Sequence, residues 1–376
     1  MVAEIDNGQW ITDNGRNTEE MKYSIIIPVY NRPGELGELL ESLCSQTLSR
    51  TAAGDFVFEV VVVEDGSAVP CEDVCRAYEQ RLPIRYFVKE NGGPGPARNY
   101  GVERAAGEYV LILDSDVVLP AGYLAAIDAE LAARPSDAFG GPDAAHPDFT
   151  PVQKAINYAM TSFFTTGGIR GGKKGGARLD RFFPRSFNMG IRREVYTALG
   201  GFAKMRFGED VDFSYRIVEG GHTSRLFPDA WVWHKRRANF RQFFKQVHNS
   251  GIARINLTKR HPGTLKLVHM LPAVFTVGVA LCLAALLVGL TGVGLTGWVA
   301  PWLWLLVIGL CPLLLFSLII LIDATARNRS LHVGLLSVVA SFIQLTGYGS
   351  GFLRSWWQRC ILGRDEFEAF KKNFYK

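Results

Sequence analysis

Two aspartates flank a serine in Asp114-Ser115-Asp116, directly after the apolar run Leu111-Ile112-Leu113. Carboxylates placed where a buried strand stops are unfavourable unless something cationic sits between them. A hard divalent ion, Mg2+ or Mn2+, takes one or two carboxylates together with substrate phosphates, which is what this arrangement offers. The plainer reading is a polar turn. Further on, Gly208-Glu209-Asp210-Val211-Asp212 opens a segment, Phe213–Val218, of helical character. Acids in a first helical turn gain from the macrodipole. One of them could equally deprotonate an acceptor hydroxyl as general base. His234 ends Trp231-Val232-Trp233-His234, where a neutral imidazole would complete a metal shell. The pair Glu64-Asp65 ends another apolar run. Asp65 there can accept hydrogen bonds from a base or ribose, or simply cap the next helix. In Asn91-Gly92-Gly93-Pro94-Gly95-Pro96-Ala97-Arg98-Asn99 the glycines let backbone approach a ligand, and the following helix offers its N-terminus to an anion.

These residues need a scaffold that gathers strand ends. Tyr23–Val29, Phe58–Val63, Arg85–Val88 and Tyr109–Leu113 read as strands. Leu36, Leu39, Leu40 and Leu43 recur at helical spacing, and Ala97–Ala106 forms a further helix. Strand–helix alternation implies right-handed crossovers and a mainly parallel sheet, with ligands at the carboxyl ends of the strands. Each candidate follows a strand, including the turn Pro28-Val29-Tyr30-Asn31-Arg32-Pro33.

In this order the residues resemble the family-two glycosyltransferases, which use the Rossmann-like GT-A fold. The resemblance covers about residues 22 to 256 and rests on PVYNRP, VVVEDGS, NGGPGPARNYG, LILDSDVVLP, FNMGIRREVYTALGGF, FGEDVDFSYRI and WVWH. It implies that Asp65 reads uracil and that Asp114 and Asp116 stand at the metal and diphosphate. Asp116 would be the direct ligand, and Asp114 would hold the ribose or a metal-bound water. Asp210, beside Glu209, matches the catalytic base and His234 the late histidine near the metal. Asn188 and Met189 match the loop bordering donor sugar and acceptor, and Pro28, Tyr30, Asn31, Gly93, Arg98 and Ser115 complete the expected donor contacts. The implied reaction is inverting transfer from a nucleotide-sugar to a lipid-linked or saccharide acceptor. Two departures stand out. The second motif carries Glu64-Asp65 in place of paired aspartates, and Gln246-Val247-His248-Asn249-Ser250 lacks the Arg-Trp of the processive Gln-x-x-Arg-Trp signature. A processive synthase, a sugar-nucleotidyltransferase and a silent sugar-nucleotide-binding membrane subunit are the competing readings.

The 376 residues carry a net charge of +5 and 20% charged residues, yet nearly all charge lies before about residue 266. Residues 268–290 and 298–322 are uncharged and long enough to span a bilayer. Lys259, Arg260 and Lys266 precede them and Arg327 and Arg329 follow, so the positive-inside rule puts both flanks in the cytoplasm of the inner membrane. Trp298, Trp302 and Trp304 suit an interfacial belt. A third stretch, 331–353, includes His332, Gln344 and a Gly/Ser run and reads either as a span or as an interfacial helix. The resulting plan is a polar extension (1–20), a catalytic domain (21–256), a basic linker (257–267), a membrane region (268–353) and a basic tail (354–376). No nucleic-acid motif is present. The six cysteines lack metal spacing, and residues 1–20 lack the pattern of a signal peptide. The glycine-rich stretch 167–181, with five basic residues, reads as a phosphate-touching lid or a solvated loop.

Overall fold

A computed structural model describes residues 2–5, 9–12, 22–50, 54–167, 181–205 and 207–370. The stretch 168–180 and the tail beyond 370, and with them most of the expected lid, lie outside the described residues. The chain divides into two compact units. The first comprises residues 1–146, 177–235 and 370–376, and the second 147–176 and 236–369. This differs from a single break at residue 256, because a helix from the middle of the chain belongs to the second unit.

In the first unit, β1 (Val2–Ile5) and β2 (Gln9–Thr12) precede β3 (Tyr23–Val29), α1 (Pro33–Cys44), β4 (Phe58–Asp65) and α2 (Glu72–Tyr78). Then come β5 (Ile84–Lys89), α3 (Pro94–Glu103), β6 (Tyr109–Leu113), β7 (Val117–Val118), α4 (Tyr123–Ala133), β8 (Ala138–Gly140) and β9 (Asp143–Ala144). The central strands β5-β4-β3-β6 are parallel. Their cores are buried on both faces, which explains the unbroken apolar runs. Ile25, Ile27, Val60 and Val62 pack with α1, α2 and α4, whereas Ile26, Val61, Val63, Val110 and Ile112 pack on the opposite face. Residues 1–20 are not merely an extension, since β1 and β2 pair antiparallel and β2 adds to the edge at β5.

The second unit begins with α5 (Pro151–Thr161) and α6 (Phe163–Thr166). The first unit then resumes with β10 (Asn188–Arg192), α7 (Arg193–Ala198), α8 (Glu209–Glu219), β11 (Ser224–Leu226) and β12 (Val232–His234). β10 runs antiparallel between β6 and β8, so the sheet is parallel at its centre and mixed at its flank. Its order among the described residues is β1-β2-β5-β4-β3-β6-β10-β8-β11, and β7-β12-β9 form a second, three-stranded sheet.

The remaining helices of the second unit are α9 (Phe240–Arg260), α10 (Leu267–Thr296), α11 (Leu303–Asn328) and α12 (Leu331–Trp356). Three helical segments here are long and apolar enough to cross a membrane: α10, α11 with its preceding turn, and α12 with the turn that follows it. Trp298 and Trp304 are exposed, whereas Trp302 folds onto Gly292 and donates through Nε1 to Thr296 Oγ1 at 3.1 Å.

Gly190 in β10 faces the Phe139 ring, which stacks on Phe227 at 4.4 Å, and a Cβ at Gly190 would lie 2.1 Å from that ring. Gly190→Ala is expected to destabilise the first unit by about 1–3 kcal/mol through overpacking, read as a lowered denaturant midpoint for its unfolding.

Candidate active site

The strand ends gather the chemistry as alternation dictates. On β4, Glu64 shares the face of Val60 and Val62, and Asp65 that of Val61 and Val63. Glu64 therefore turns into the core, where it accepts from Cys71 N at 2.9 Å and from the Tyr86 hydroxyl. Asp65 turns towards the glycine loop. Its carboxylate accepts from Gly92 N (2.9 Å), Gly93 N (2.7 Å) and Lys89 Nζ (2.6 Å). A carboxylate has about four lone-pair sites, so one remains for a ligand. Gly93 has φ +93°, a conformation that requires glycine, and it opens α3.

Asn31, with φ +54°, spends its side chain on structure: Oδ1 accepts from Ala68 N (2.7 Å) and Val69 N (2.9 Å), tying two strand-end loops together. Tyr30 is exposed and Pro28 half-buried. Asn188 is likewise committed, accepting from Tyr123 Oη at 2.7 Å and donating to Ala230 O at 2.7 Å. Both asparagines shape the site through backbone placement, and their side-chain groups are already engaged.

β6 delivers Asp114, Ser115 and Asp116, and the pairing of β7 with β12 brings up the imidazole. His234 stands opposite Val117, and Lys235 N donates to Asp116 O at 3.1 Å. His234 Nε2 is 3.3 Å from Asp116 Oδ1, and its ring stacks on Phe187 at 4.9 Å. One ligand atom from each of Asp114, Asp116 and His234 lies within 4.8 Å of the others. Ligands on an octahedral ion at about 2.0–2.1 Å stand roughly 3–4 Å apart, so a small approach of these three donors would gather them round one divalent cation. Ser115 is buried between the two acids.

Three arginines bind these acids. Arg32 pairs with Asp116 at 2.5 Å. Arg98, buried on α3, donates to Asp114 Oδ1 (2.8 Å) and Glu209 Oε1 (3.1 Å). It reaches them because Gly101 lets α3 sit close to the sheet; a Cβ there would lie 2.7 Å from Ile26. Arg185 Nε donates to Asp210 Oδ2 at 2.8 Å. Glu209 and Asp210 form the first turn of α8, entered through the left-handed Gly208. Burial pushes the Glu209 carboxyl above the usual range, with Arg98 pulling against it and the Asp210 charge adding to it. Burial opposes ionisation of Asp210 too, but the Arg185 and Arg98 guanidiniums and the Val211 amide outweigh it and hold its carboxyl low.

All the expected residues thus come to the carboxyl edge of the central strands or to the start of α8. Sequence reasoning missed Arg32 and Arg185 as partners of the acids. Arg32 lay within a motif already noted, whereas no spacing signal marked Arg185.

The fold is of GT-A type. A mannosyltransferase of Pyrobaculum calidifontis, solved with GDP-Man and Mn2+, superimposes with a TM-score of 0.53 at 17% identity, over 90% of this chain and 88% of its own. Residues 24–200 match Glycosyl transferase family 2, and this stretch of the chain belongs to that family. Among curated relatives, a poly(ribitol-phosphate) beta-N-acetylglucosaminyltransferase, TarS, of Staphylococcus aureus is 40% identical over 98 residues, 26% of this chain and 16% of the relative. The minor teichoic acid biosynthesis protein GgaB of Bacillus subtilis is 37% identical over 102 residues, 27% of this chain and 11% of the relative. An uncharacterized glycosyltransferase of Rickettsia bellii is 38% identical over 97 residues, 26% of this chain and 13% of the relative. The matched region is thus under a fifth of the length of each of these relatives.

The donor set predicts that Asp116→Ala lowers Mn2+ affinity by about 10–100-fold, measured by titration calorimetry on the full chain.

Proposed function

We propose that the chain is an inverting glycosyltransferase that moves a sugar from a nucleotide-sugar, with UDP the favoured carrier, to a membrane-proximal acceptor. The observation that carries this reading is the single Arg98 guanidinium bridging Asp114 of the cation cluster and Glu209 beside Asp210. It ties a leaving-group site to a base site in one polar network. Asp116 and His234, with Asp114, would hold Mg2+ or Mn2+, and such an ion neutralises charge building on a leaving diphosphate. Asp65 and the amides around Gly93 line the nucleoside end. Pro28, Tyr30 and Ser115 border the donor, while Asn31 and Asn188 keep the surrounding loops in register.

Asp210 takes the proton of the attacking hydroxyl. Held ionised by Arg185, it is in the accepting form throughout the neutral range. Glu209 accepts from Arg98 and keeps that guanidinium in place.

The names of two relatives support a reading of the acceptor class. These two are named for poly(ribitol-phosphate) glycosylation and teichoic acid biosynthesis, which supports a cell-envelope polysaccharide or its lipid-linked precursor. The apolar helices support anchoring in the inner membrane with the site on the cytoplasmic face. The missing Arg-Trp after Gln246 favours single transfers over processive polymerisation, and the joint presence of Asp116 and Asp210 favours an active enzyme over a silent subunit.

Asp210→Asn is expected to lower turnover by about 10²–10⁴-fold while leaving nucleotide-sugar affinity within roughly twofold. Release of nucleoside diphosphate from labelled donors measures the first, and native turnover would overturn the assignment. Arg185→Gln removes the cation that keeps the Asp210 carboxyl low. The acid limb of kcat/KM should therefore move to higher pH, and an unmoved limb would separate Arg185 from the base.

A further inference from the structure

The third apolar helix has the length of a span, yet its contacts describe something else. Helices α10 and α11 pack antiparallel: Phe275 meets Phe316, Cys282 meets Ile308, and Gly289 and Gly292 receive Leu306 and Trp302. Among the described residues, the glycine, aromatic and hydrogen-bond contacts of α12 with this hairpin lie towards one end of it. On α11 it touches residues 316 to 325, through Gly334 against Leu321 and Thr325, Val338 beside Ile320 and Ala324, and Phe342 against Phe316. On α10 it touches residues 272 to 276, through Phe342, Leu345, Gly349 and Phe352. From Gly334 to Phe352 the helix advances about 27 Å at 1.5 Å per residue. Over that length these contacts cross from one hairpin helix to the other, and among the described residues they stay at the level of residues 272–276 and 316–325. A helix crossing the bilayer beside the hairpin would climb.

The other side of α12 carries α9. Gly347 receives Val247 and Phe244, Gly351 abuts His248 O, and Gly251 abuts Tyr348 O. Ser350 Oγ lies 3.1 Å from His248 Nδ1, Ser355 Oγ donates to Ile252 O at 3.2 Å, and Arg359 Nε donates to Asn256 Oδ1 at 2.9 Å. The two helices therefore run side by side and in the same direction. α9 carries Arg241, Lys245, Arg254, Lys259 and Arg260. Were α12 to cross hydrocarbon, it would draw this basic helix in with it, where such side chains are rare and costly.

We propose that α10 and α11 alone cross the bilayer, and that α12 lies along its surface on the side of α9, with the α9–α12 pair facing the phosphate headgroups. The glycines at 347, 349 and 351 then serve close packing of a crossing helix against α9 and α10, rather than a break in a span. The consequence is topological: the residues after α12 return to the side from which α10 enters. This rests on the hairpin being membrane-embedded and is independent of the transfer chemistry.

Cys360, exposed just beyond α12, is a native reporter. Spheroplasts and inverted vesicles containing the full chain are treated with a membrane-impermeant maleimide, with Cys360→Ser defining the background. Lys259→Cys and Val299→Cys, each in that background, mark the α9 end and the α10–α11 turn. The expected result is that Cys360 reacts from the same side as Lys259→Cys and from the opposite side to Val299→Cys. Reaction of Cys360 from the Val299 side would overturn the proposal. The side on which Lys259→Cys itself reacts reports the orientation of the hairpin separately, so a reversed orientation would leave the surface placement of α12 standing. Because the reporter is a natural residue, no refolding of a substituted α12 is needed to read it.

Discussion

The candidate site depends on one buried cation. Arg98 comes from α3, yet its two carboxylate partners, Asp114 on the next strand end and Glu209 on a distant helix, serve different ends of the expected chemistry. Burying a guanidinium is costly unless its donors are matched by acceptors. The two acids are equally costly to gather without it. Their mutual need fixes the distance between the end of β6 and the first turn of α8, and Gly101 exists where α3 must come close enough for the bridge to form. The other arginines follow the same logic on a smaller scale. Arg32 faces Asp116 at the mouth of the cation cluster, and Arg185 holds Asp210.

Charge in this site is consequently compensated pair by pair. An adjacent Glu209-Asp210 pair would ordinarily titrate as a shared system, one acid pushing the other up. Here each acid has its own guanidinium, and the environments drive their protonation apart. A pair of carboxylates with separated affinities for a proton is the usual signature of divided roles.

Much of this was legible in the residues. The central strands declared themselves because both faces are buried and the runs are unbroken. The helix at 209–219 was visible in part as Phe213–Val218, and its acidic first turn sat where the macrodipole favours it. What was hidden was whatever depended on distant pairing. Asn31 and Asn188 looked like ligand contacts, but their amides are spent on Ala68, Val69, Tyr123 and Ala230, partners that no local pattern could reveal. Arg185 carried no periodicity. The β1–β2 hairpin escaped notice because its strands are only four residues long and lie in a stretch that reads as polar overall. In the helical unit, the glycines near residue 349 signalled a weak span by composition, whereas in three dimensions they are contact points for two neighbouring helices.

The pairing of β7 with β12 has a bearing on the order in which the protein is made. Asp116 and His234 are separated by 118 positions (234 − 116), and the imidazole arrives on the last strand of the sheet unit, just before the chain re-enters the second unit with α9. Domains emerging from the ribosome fold from the N-terminus onward. The parallel strands and both aspartates can therefore be in place while the cation shell is still short of one ligand. The shell closes only as the chain is about to deliver its first apolar helix. A growing polypeptide thus brings the last of these three side chains into place shortly before its first long apolar helix emerges.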